Sequence, residues 1–219
     1  MRLFIDSANL DDIRQAMASG AVSGVTTNPS IMAKEPKGEF DKHLQKIADL
    51  VGHRPISAEV VAGTPESMVQ EALALVGTVD GNIDIKVPMS WDNMRVIDCL
   101  VDHHIRVNAT CLFTEQQAIM ALNAGASYVS LFYNRARDLS VDTFRWIDSV
   151  RNLIDKDYGG GTYIICGSIR SAEDVRACAM AGAHIVTASL PIIKAMCTHP
   201  GTDVAVDQFN RDFASWLEV

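Results

Sequence analysis

One lysine in this sequence lies where a charged amine is costly. Lys86 falls in Ile83-Asp-Ile-Lys-Val-Pro88, a run with the length and composition of a buried β-strand. Burial lowers the pKa of a lysine and leaves a neutral amine that can attack a carbonyl. On strand position alone the alternative carries equal weight: a structural lysine that pairs with a buried carboxylate or extends to solvent from an edge strand.

Further polar residues fall on the inner faces of predicted strands. Side chains alternate across a strand, so Asp84 and Lys86 share one face. The same alternation turns inward Asp6, Ser57, Glu59, Arg106, Asn108, Thr110, Ser130 and Phe132. Carboxylates such as Asp6 and Glu59 serve as acid and base, and hydroxyls and amides hydrogen-bond polyhydroxylated compounds. Taken singly, each is more often a satisfied core residue or, like Asn28 before Pro29, part of a turn and helix start.

Three residues predict an anion site. Arg135 follows the predicted sixth strand, and Ser168 and Arg170 follow the seventh, just before a helix. Arginine binds phosphate with two parallel hydrogen bonds, and such loops often hold phosphate in barrels. Other arginines, including Arg137 and Arg145, are expected to be solvated.

The elements that must position these residues alternate along the whole chain. The predicted strands are Leu3–Asp6, Gly24–Thr26, Ile56–Val60, Ile83–Val87, Arg106–Thr110, Tyr128–Phe132, Tyr163–Cys166 and Ile185–Ala188. Helical patterns begin near Asn9, Phe40, Thr64, Trp91, Thr114, Val141, Ser171 and Leu190. Eight strand-then-helix units predict one (β/α)8 barrel, with a doubly wound open sheet as the weaker alternative. The barrel is expected to form a single domain over residues 1–219.

The composition narrows the range of partners. The chain has 48% hydrophobic and 21% charged residues and a net charge of −8, which disfavours nucleic acid and anionic membranes as partners. Neither a signal peptide nor a membrane span is predicted. Five scattered cysteines predict a reduced, cytoplasmic protein. No metal site is predicted, because the histidines are isolated or, at His103-His104, adjacent and so point in different directions on a helix.

Six motifs resemble one enzyme family nearly end to end. They are Phe4-Ile-Asp-Ser-Ala-Asn9, Gly24-Val-Thr-Thr-Asn-Pro-Ser30, Ser57-Ala-Glu-Val60, Ile85-Lys-Val-Pro88, Asn108-Ala-Thr110 and Gly167-Ser-Ile-Arg170. They are similar to those of the small transaldolases and the related fructose-6-phosphate aldolases. The resemblance implies a barrel enzyme that exchanges a dihydroxyacetone unit between sugar phosphates in the pentose phosphate pathway, through a lysine Schiff base and without metal or cofactor.

The resemblance also implies a role for each matching residue. Lys86 forms the Schiff base, Asp6 deprotonates the C4 hydroxyl, and Glu59 with Thr110 holds the catalytic water. The residues implied to bind substrate are Asn28, Thr26, Asn108, Ser130 and Phe132 for the sugar, and Arg135, Ser168 and Arg170 for the phosphate. Tyr133-Asn134 departs from the pattern, because the family more often has Val-Gly there.

Two alternatives to a transaldolase stay open. A fructose-6-phosphate aldolase would release free dihydroxyacetone, and a sugar-phosphate-binding protein would keep the pocket without chemistry. Transfer is favoured because the resembling aldolases have tyrosine at the position of Phe132 and usually glutamine at that of Glu59. A phenyl ring holds no water to hydrolyse the bound adduct.

Two structural expectations concern the barrel floor and the C-terminal segment. Asp84 and Arg106 should pair at the floor of the barrel, with His184 nearby, because an inward carboxylate without a partner is costly. Residues 202–219 should form an extra amphipathic helix, since Val206, Phe209 and Phe213 recur at three- to four-residue spacing. Similar proteins exchange such helices within pentameric rings stacked into decamers, so the resemblance implies a homo-oligomer.

Overall fold

Eight parallel strands close into a barrel in which neighbours in sequence are neighbours in space. The structure is a computed structural model that describes residues 1–159 and 161–217. The strands are β1 Arg2–Asp6, β2 Val22–Thr26, β3 Ile56–Glu59, β4 Ile83–Pro88, β5 Val107–Leu112, β6 Tyr128–Phe132, β7 Tyr163–Gly167 and β8 Ile185–Ala188. The pairing of β1 with β8 closes the barrel, which confirms the predicted fold and excludes the open sheet.

The strand ends differ from expectation most clearly in β5. The predicted strand is Arg106–Thr110, but β5 runs to Leu112 and starts after Arg106. Its pairing with β6 slips between Ala109 and Leu112, and Cys111 lies there with a left-handed φ of 63°. This β-bulge adds a residue that the alternation rule does not anticipate.

The helices surround the barrel in the order that the sequence predicts. They are α1 Leu10–Ala18, α2 Pro29–Met32, α3 Phe40–Val51, α4 Pro65–Thr78, α5 Met94–Asp102, α6 Glu115–Asn123, α7 Tyr133–Asp138, α8 Thr143–Asp157, α9 Ala172–Met180, α10 Leu190–Ala195 and α11 Pro200–Leu217. All eight expected helices form. The short helix α7 is not predicted by the sequence, because its six residues are too few to show a period.

Side-chain hydroxyls and amides cap the N-termini of several helices. Asn9, Thr64, Thr114 and Ser171 each accept a backbone N–H from the first turn of the helix that follows. At Ser171 a capping box does not close, because the Asp174 carboxylate accepts from the N–H of Arg170 rather than that of Ser171. These caps fix where each strand-to-helix loop ends, and the candidate site is built from those loops.

Packing separates the two faces of each strand. The outward residues Ile83, Ile85 and Val87 join the large apolar layer beneath the helices. Inside the barrel Phe4, Tyr128, Ile165 and Ile185 form a small cluster of their own. Gly24 leaves room for it, since a Cβ there would lie 2.5 Å from the ring of Phe4. Polar residues therefore remain inside mainly above and below this apolar plug.

Below the plug, the predicted ion pair at the barrel floor is confirmed. Arg106 Nε donates to Asp84 Oδ1 at 2.6 Å, and Asp84 is fully buried. Burial raises the pKa of the Asp84 carboxyl to about 6, although Arg106 acts to lower it. His184 is engaged elsewhere, because its Nδ1 accepts the N–H of Ile164 at 3.0 Å.

The C-terminal helix α11 confirms the expected extra helix as far as Leu217. Residues 218 and 219 lie outside the described part of the chain, as does Gly160. No residue of α11 is buried, and Phe209, Phe213 and Trp216 are each at least 60% exposed. No helix in the described residues is long and apolar enough to cross a membrane.

Candidate active site

Lys86 lies above the apolar plug, and its amine lies between a backbone carbonyl oxygen and a carboxylate oxygen. The residue is 6% exposed, and its Nζ donates to the carbonyl oxygen of Thr27 at 2.8 Å. Glu59 Oε2 lies 3.1 Å from the same Nζ, because β3 and β4 pair Glu59 with Lys86 in register. The neighbouring carboxylate can exchange a proton with the amine. Sequence reasoning missed Thr27, since a backbone carbonyl carries no residue-type signal.

Asp6 faces the same space from the end of β1. Its Oδ1 accepts a hydrogen bond from Thr26 Oγ1 at 2.7 Å, and Thr26 Oγ1 lies 2.6 Å from Thr187 Oγ1. Burial raises the pKa of the Asp6 carboxyl, and the Thr26 hydrogen bond and the charge of Lys86 offset this only in part. A carboxylate with a raised pKa is better able to take up a proton. Thr187 was missed, although it shares the inward face of β8 with Ile185.

A chain of hydrogen bonds links β3, β5 and β6. Asn108 Nδ2 donates to Ser57 Oγ at 3.2 Å, and Ser130 Oγ donates to Asn108 Oδ1 at 2.7 Å. All three residues are buried. The two partners fix which way the Asn108 amide points, so the wall beside Lys86 presents its polar atoms in a set orientation.

Thr110 is the exception in this polar wall. Its hydroxyl is buried, and among the described residues it has no hydrogen-bond partner. β4 and β5 pair Thr110 with Pro88, two residues beyond Lys86, and Thr110 lies in the stretch between Ala109 and Leu112 where the pairing with β6 shifts. An unpartnered buried hydroxyl costs free energy unless water or a ligand satisfies it.

Several of these side chains line a cavity of about 70 Å³ at the carboxyl ends of the strands, but the predicted site residues Glu59 and Asn108 do not. Its lining is Asp6, Thr26, Asn28, Lys86, Thr110, Ser130, Phe132, Arg135, Ile165, Gly167, Ser168 and Thr187. Asn28 also caps α2, since its Oδ1 accepts the N–H of Ile31 at 3.0 Å. A groove of about 1060 Å³ lies alongside, lined largely by α1, α3 and the α2–α3 segment, and shares Asn28 and Glu59 with the inner site.

One side of the cavity carries the predicted anion-binding residues, with one exception. The Arg135 guanidinium lies 4.7 Å above the centre of the Phe132 ring, and both residues line the cavity with Ser168. Arg170 does not line it, because its guanidinium donates to Asp138 at 2.8 and 2.5 Å. The expectation that Arg137 is merely solvated is wrong: its Nη1 pairs with the buried Asp174 at 3.0 Å.

Comparison with known proteins shows the family of this chain. The model of the transaldolase/fructose-6-phosphate aldolase family matches residues 3–218. The chain belongs to this family. It is 40% identical over 215 residues to a probable transaldolase of Clostridium kluyveri, covering 98% of both chains. It is 39% identical over 218 residues to a probable transaldolase of Streptococcus equi subsp. zooepidemicus, covering all of both chains.

A solved structure of different sequence shares the fold of this family member. A crystal structure of a mandelate oxidase variant superposes with a TM-score of 0.60 at 14% identity, over 86% of this chain and 65% of the oxidase chain. A sequence identity of 14% shows a shared barrel fold and nothing about a shared function. The chemistry of the transaldolase-family chain must therefore be argued from its own cavity.

Potential metal ligands are dispersed in this family member. Within residues 1–159 and 161–217 no three His, Cys, Asp or Glu side chains come together as a metal-binding group. The absence of a metal from the reaction stays a prediction, tested by chelation below.

Proposed function

We propose that this transaldolase-family enzyme transfers a dihydroxyacetone unit between sugar phosphates through a Schiff base on Lys86. One observation carries the proposal: a buried amine lies 3.1 Å from the Glu59 carboxylate and lines the same cavity as Asp6. Aldol cleavage through an imine needs an amine, a proton carrier beside it and a base for the substrate hydroxyl. The donor is fructose 6-phosphate or sedoheptulose 7-phosphate, and the acceptor is erythrose 4-phosphate or glyceraldehyde 3-phosphate, as in the pentose phosphate pathway.

The first step joins Lys86 to the donor. Glu59 takes the proton from the Lys86 ammonium, and the neutral amine adds to the C2 carbonyl to form a carbinolamine. Glu59 then returns a proton to the C2 hydroxyl, which leaves as water and gives an iminium ion. The unpartnered Thr110 hydroxyl supports this step, because it can hydrogen-bond a water molecule beside Lys86. That position would hold the water that leaves in this step and the water that attacks the iminium ion in the last step.

The second step breaks the C3–C4 bond. Asp6 takes the proton of the C4 hydroxyl, the C4–O bond becomes a carbonyl, and the C3–C4 electron pair moves into the iminium to give an enamine. The aldose phosphate leaves with its new aldehyde. The raised pKa of Asp6 supports this assignment, since a general base must hold the proton that it receives.

The third step reverses the second with a new aldehyde. The enamine carbon attacks the acceptor carbonyl, and Asp6 gives its proton to the new alkoxide. Water adds to the resulting iminium with Glu59 as base, which releases the ketose phosphate and regenerates Lys86. Water is consumed and formed once each, so the net reaction is transfer alone.

The remaining cavity residues are assigned to binding. Asn28, Thr26 and Ser130 hydrogen-bond the hydroxyls of the dihydroxyacetone unit, and Phe132 packs beside it. Asn108 does not line the cavity, and it is assigned to the same unit through the hydrogen bond that it accepts from Ser130. Arg135 and Ser168 bind the phosphate. Arg170 joins them when a phosphate replaces the Asp138 carboxylate as its partner, because that ion pair is exposed and weak.

Trapping with borohydride tests the proposed chemistry. Reduction of the enzyme with fructose 6-phosphate present is expected to leave a three-carbon adduct on the peptide that contains Lys86, seen by mass spectrometry. Lys194, an exposed lysine on α10, serves as the internal control and should stay unmodified. An adduct elsewhere, no adduct at all, or activity lost to a chelator contradicts the mechanism. The absence of an adduct would favour a protein that only binds sugar phosphates.

A second candidate is a fructose-6-phosphate aldolase on the same scaffold. Glu59 and Phe132 favour transfer over release, because the Phe132 ring offers the bound adduct no hydrogen-bonded water from its side of the cavity. Transfer to glyceraldehyde 3-phosphate or erythrose 4-phosphate is expected to exceed release of free dihydroxyacetone greatly. Equal rates of transfer and release would assign the chain to the aldolase branch.

We also propose assembly as a homo-oligomer, a pentamer or decamer, in a cytoplasmic setting. The exposed apolar residues of α11 support assembly, because a helix that buries none of Phe209, Phe213 or Trp216 gains little from its own barrel. Light scattering of the whole protein tests this, and a monomer would contradict it. Nucleic acid and membranes are not expected as partners.

A further inference from the structure

The loop between β7 and α9 contains a backbone conformation that needs support. We call residues 167–170 the phosphate loop, since Ser168 lines the cavity beside Arg135. Ser168 has a φ of 59°, in the left-handed region that is strained for a residue with a Cβ. Such a conformation persists only where surrounding contacts hold it.

One buried side chain from the neighbouring unit supplies that contact. Asn134 is fully buried, and its Nδ2 donates to the carbonyl oxygen of Ser168 at 2.9 Å and to Asp174 Oδ2 at 2.8 Å. Both partners are acceptors, so the orientation of the amide is fixed. Asn134 therefore links α7, which carries Arg135, directly to the phosphate loop.

Asp174 holds the other end of the loop. It is 3% exposed, and its Oδ2 also accepts the N–H of Arg170 at 3.0 Å, while Oδ1 pairs with Arg137. Burial raises the pKa of this carboxyl, but the hydrogen bonds from Asn134, Arg170 and Ser171 outweigh it and leave the pKa lowered. Asp174 thus stays ionised and gathers donors from both α7 and the phosphate loop.

The geometry points to a role in substrate recognition, and we propose that Asn134 and Asp174 are positioning residues that hold Ser168 at the spacing from Arg135 that a phosphate requires. This inference rests on the proposed function. Neither residue lines the cavity, so both act through Ser168 and Arg135.

The test compares phosphorylated and unphosphorylated acceptors in the whole protein. In Asn134→Leu, the KM for glyceraldehyde 3-phosphate is expected to rise about tenfold, the size of one lost hydrogen bond. The KM for glyceraldehyde and the kcat with either acceptor should stay within about twofold. A purely structural role would change both acceptors alike, and that outcome, or an unchanged KM for the phosphate, overturns the proposal.

A matched control removes a similar bond at the far end of β7. Thr162 is buried, and its hydroxyl donates to the carbonyl oxygen of Ala126 at 2.8 Å. Thr162→Val should lose comparable stability and leave both KM values unchanged. If it raises the KM for glyceraldehyde 3-phosphate as Asn134→Leu does, general loosening of the barrel explains the effect and the proposal fails.

A double variant covers the case in which Asn134→Leu does not fold. Asn134→Asp with Asp174→Asn keeps a carboxylate–amide pair in the reverse direction, but it places an acceptor against the Ser168 carbonyl. It is expected to fold better than Asn134→Asp alone and to keep the raised KM for the phosphorylated acceptor. A double variant with a native KM overturns the proposal.

Calorimetric binding of inorganic phosphate separates this inference from the proposed function. The native protein should bind phosphate, and the double variant should bind it about tenfold more weakly. If the native protein transfers no dihydroxyacetone unit but shows this difference, the proposed function fails and the positioning role stands. Equal phosphate affinity of the two proteins overturns the positioning role, whatever the transfer activity.

Discussion

The same strand carries two acid–base pairs that the protein treats in opposite ways. Lys86 pairs with Glu59 at the mouth of the barrel, and Asp84, two residues earlier, pairs with Arg106 at its floor. At the floor, the cation is a guanidinium that stays charged and is 45% exposed to water. At the mouth, the cation is an amine buried beside a cavity. The acid–base pair at the floor thus lines neither the cavity nor the groove beside it, whereas the pair at the mouth includes an amine that lines the cavity.

The largest expected effect comes from replacing the lysine at the mouth of the barrel by arginine, the cation found in the ion pair at the floor. Lys86→Arg keeps a cation beside Glu59, but a guanidinium forms no imine, so transfer should fall by about 10⁴-fold or more. The free energy of unfolding should change by no more than about 1–3 kcal/mol, the cost of overpacking. Coupled enzyme assays and denaturant unfolding measure the two quantities. Residual transfer within about tenfold of native would remove Lys86 from the chemistry.

The next change breaks the floor pair and should spare the chemistry. Arg106→Leu leaves Asp84 buried without its cation, which is expected to lower the free energy of unfolding by about 2–4 kcal/mol, reduced because Arg106 is half exposed. Adding Asp84→Asn should restore most of that loss. The kcat of the folded protein should stay within a fewfold of native. A loss below about 1 kcal/mol would show that water already satisfies Asp84.

The floor carboxylate also predicts a pH dependence. Its pKa of about 6 lies above the ordinary 3.8, so the folded protein binds more protons than the unfolded chain between those values. Its contribution is therefore complete below about pH 4 and is lost as pH rises through 6, by an amount on the order of 2–3 kcal/mol.

Other groups titrate in the same window, so the measurement must be a difference. Burial lowers the pKa of His184 to about 4, and that group adds stability above pH 6.5 that is lost on acidification. Denaturant unfolding of native protein and Asp84→Asn from pH 4 to 8 isolates the Asp84 part. Asp84→Asn should gain stability relative to native as pH rises, and a constant difference would refute the assignment.

The smallest expected effect concerns the mouth alone. Phe132→Tyr puts a hydroxyl into the cavity, where it can hold a water for hydrolysis of the bound adduct, so the ratio of release to transfer should rise roughly three- to tenfold. Phe113→Tyr is the control, since its ring packs against Phe132 at 5.8 Å but does not line the cavity. Equal shifts in both variants would mean that ring packing, and not the hydroxyl, sets the ratio.

Sequence reasoning is most successful where side chains follow a strand. Alternation alone turns Lys86, Asp84 and Ser130 inward, and register across neighbouring strands then requires the pair at the floor. The rule fails at Cys111, because a bulge inserts a residue without any mark in the sequence. The barrel and most of its inner wall therefore follow from the amino-acid sequence alone.

The contacts between residues of the loops could not be predicted from the sequence. Asn134 meets Asp174 across 40 residues of sequence, and Arg170 meets Asp138 across 32. No periodicity relates such positions, and a charged residue on a short loop is expected to be solvated until its partner is known. The phosphate end of the site is therefore predicted by residue type and resemblance, while the contacts that shape it are not.

The ion pair between Lys86 and Glu59 also bears on chemical selectivity. Cells contain many small aldehydes, and a free neutral amine reacts with them indiscriminately and is lost by slow modification. The amine of Lys86 is instead held by Thr27 and Glu59 at the end of a cavity of about 70 Å³. A carbonyl compound must enter that cavity to reach the nitrogen. In the proposed mechanism, the enclosure that places Lys86 beside Glu59 therefore also shields the amine from compounds that do not fit the cavity.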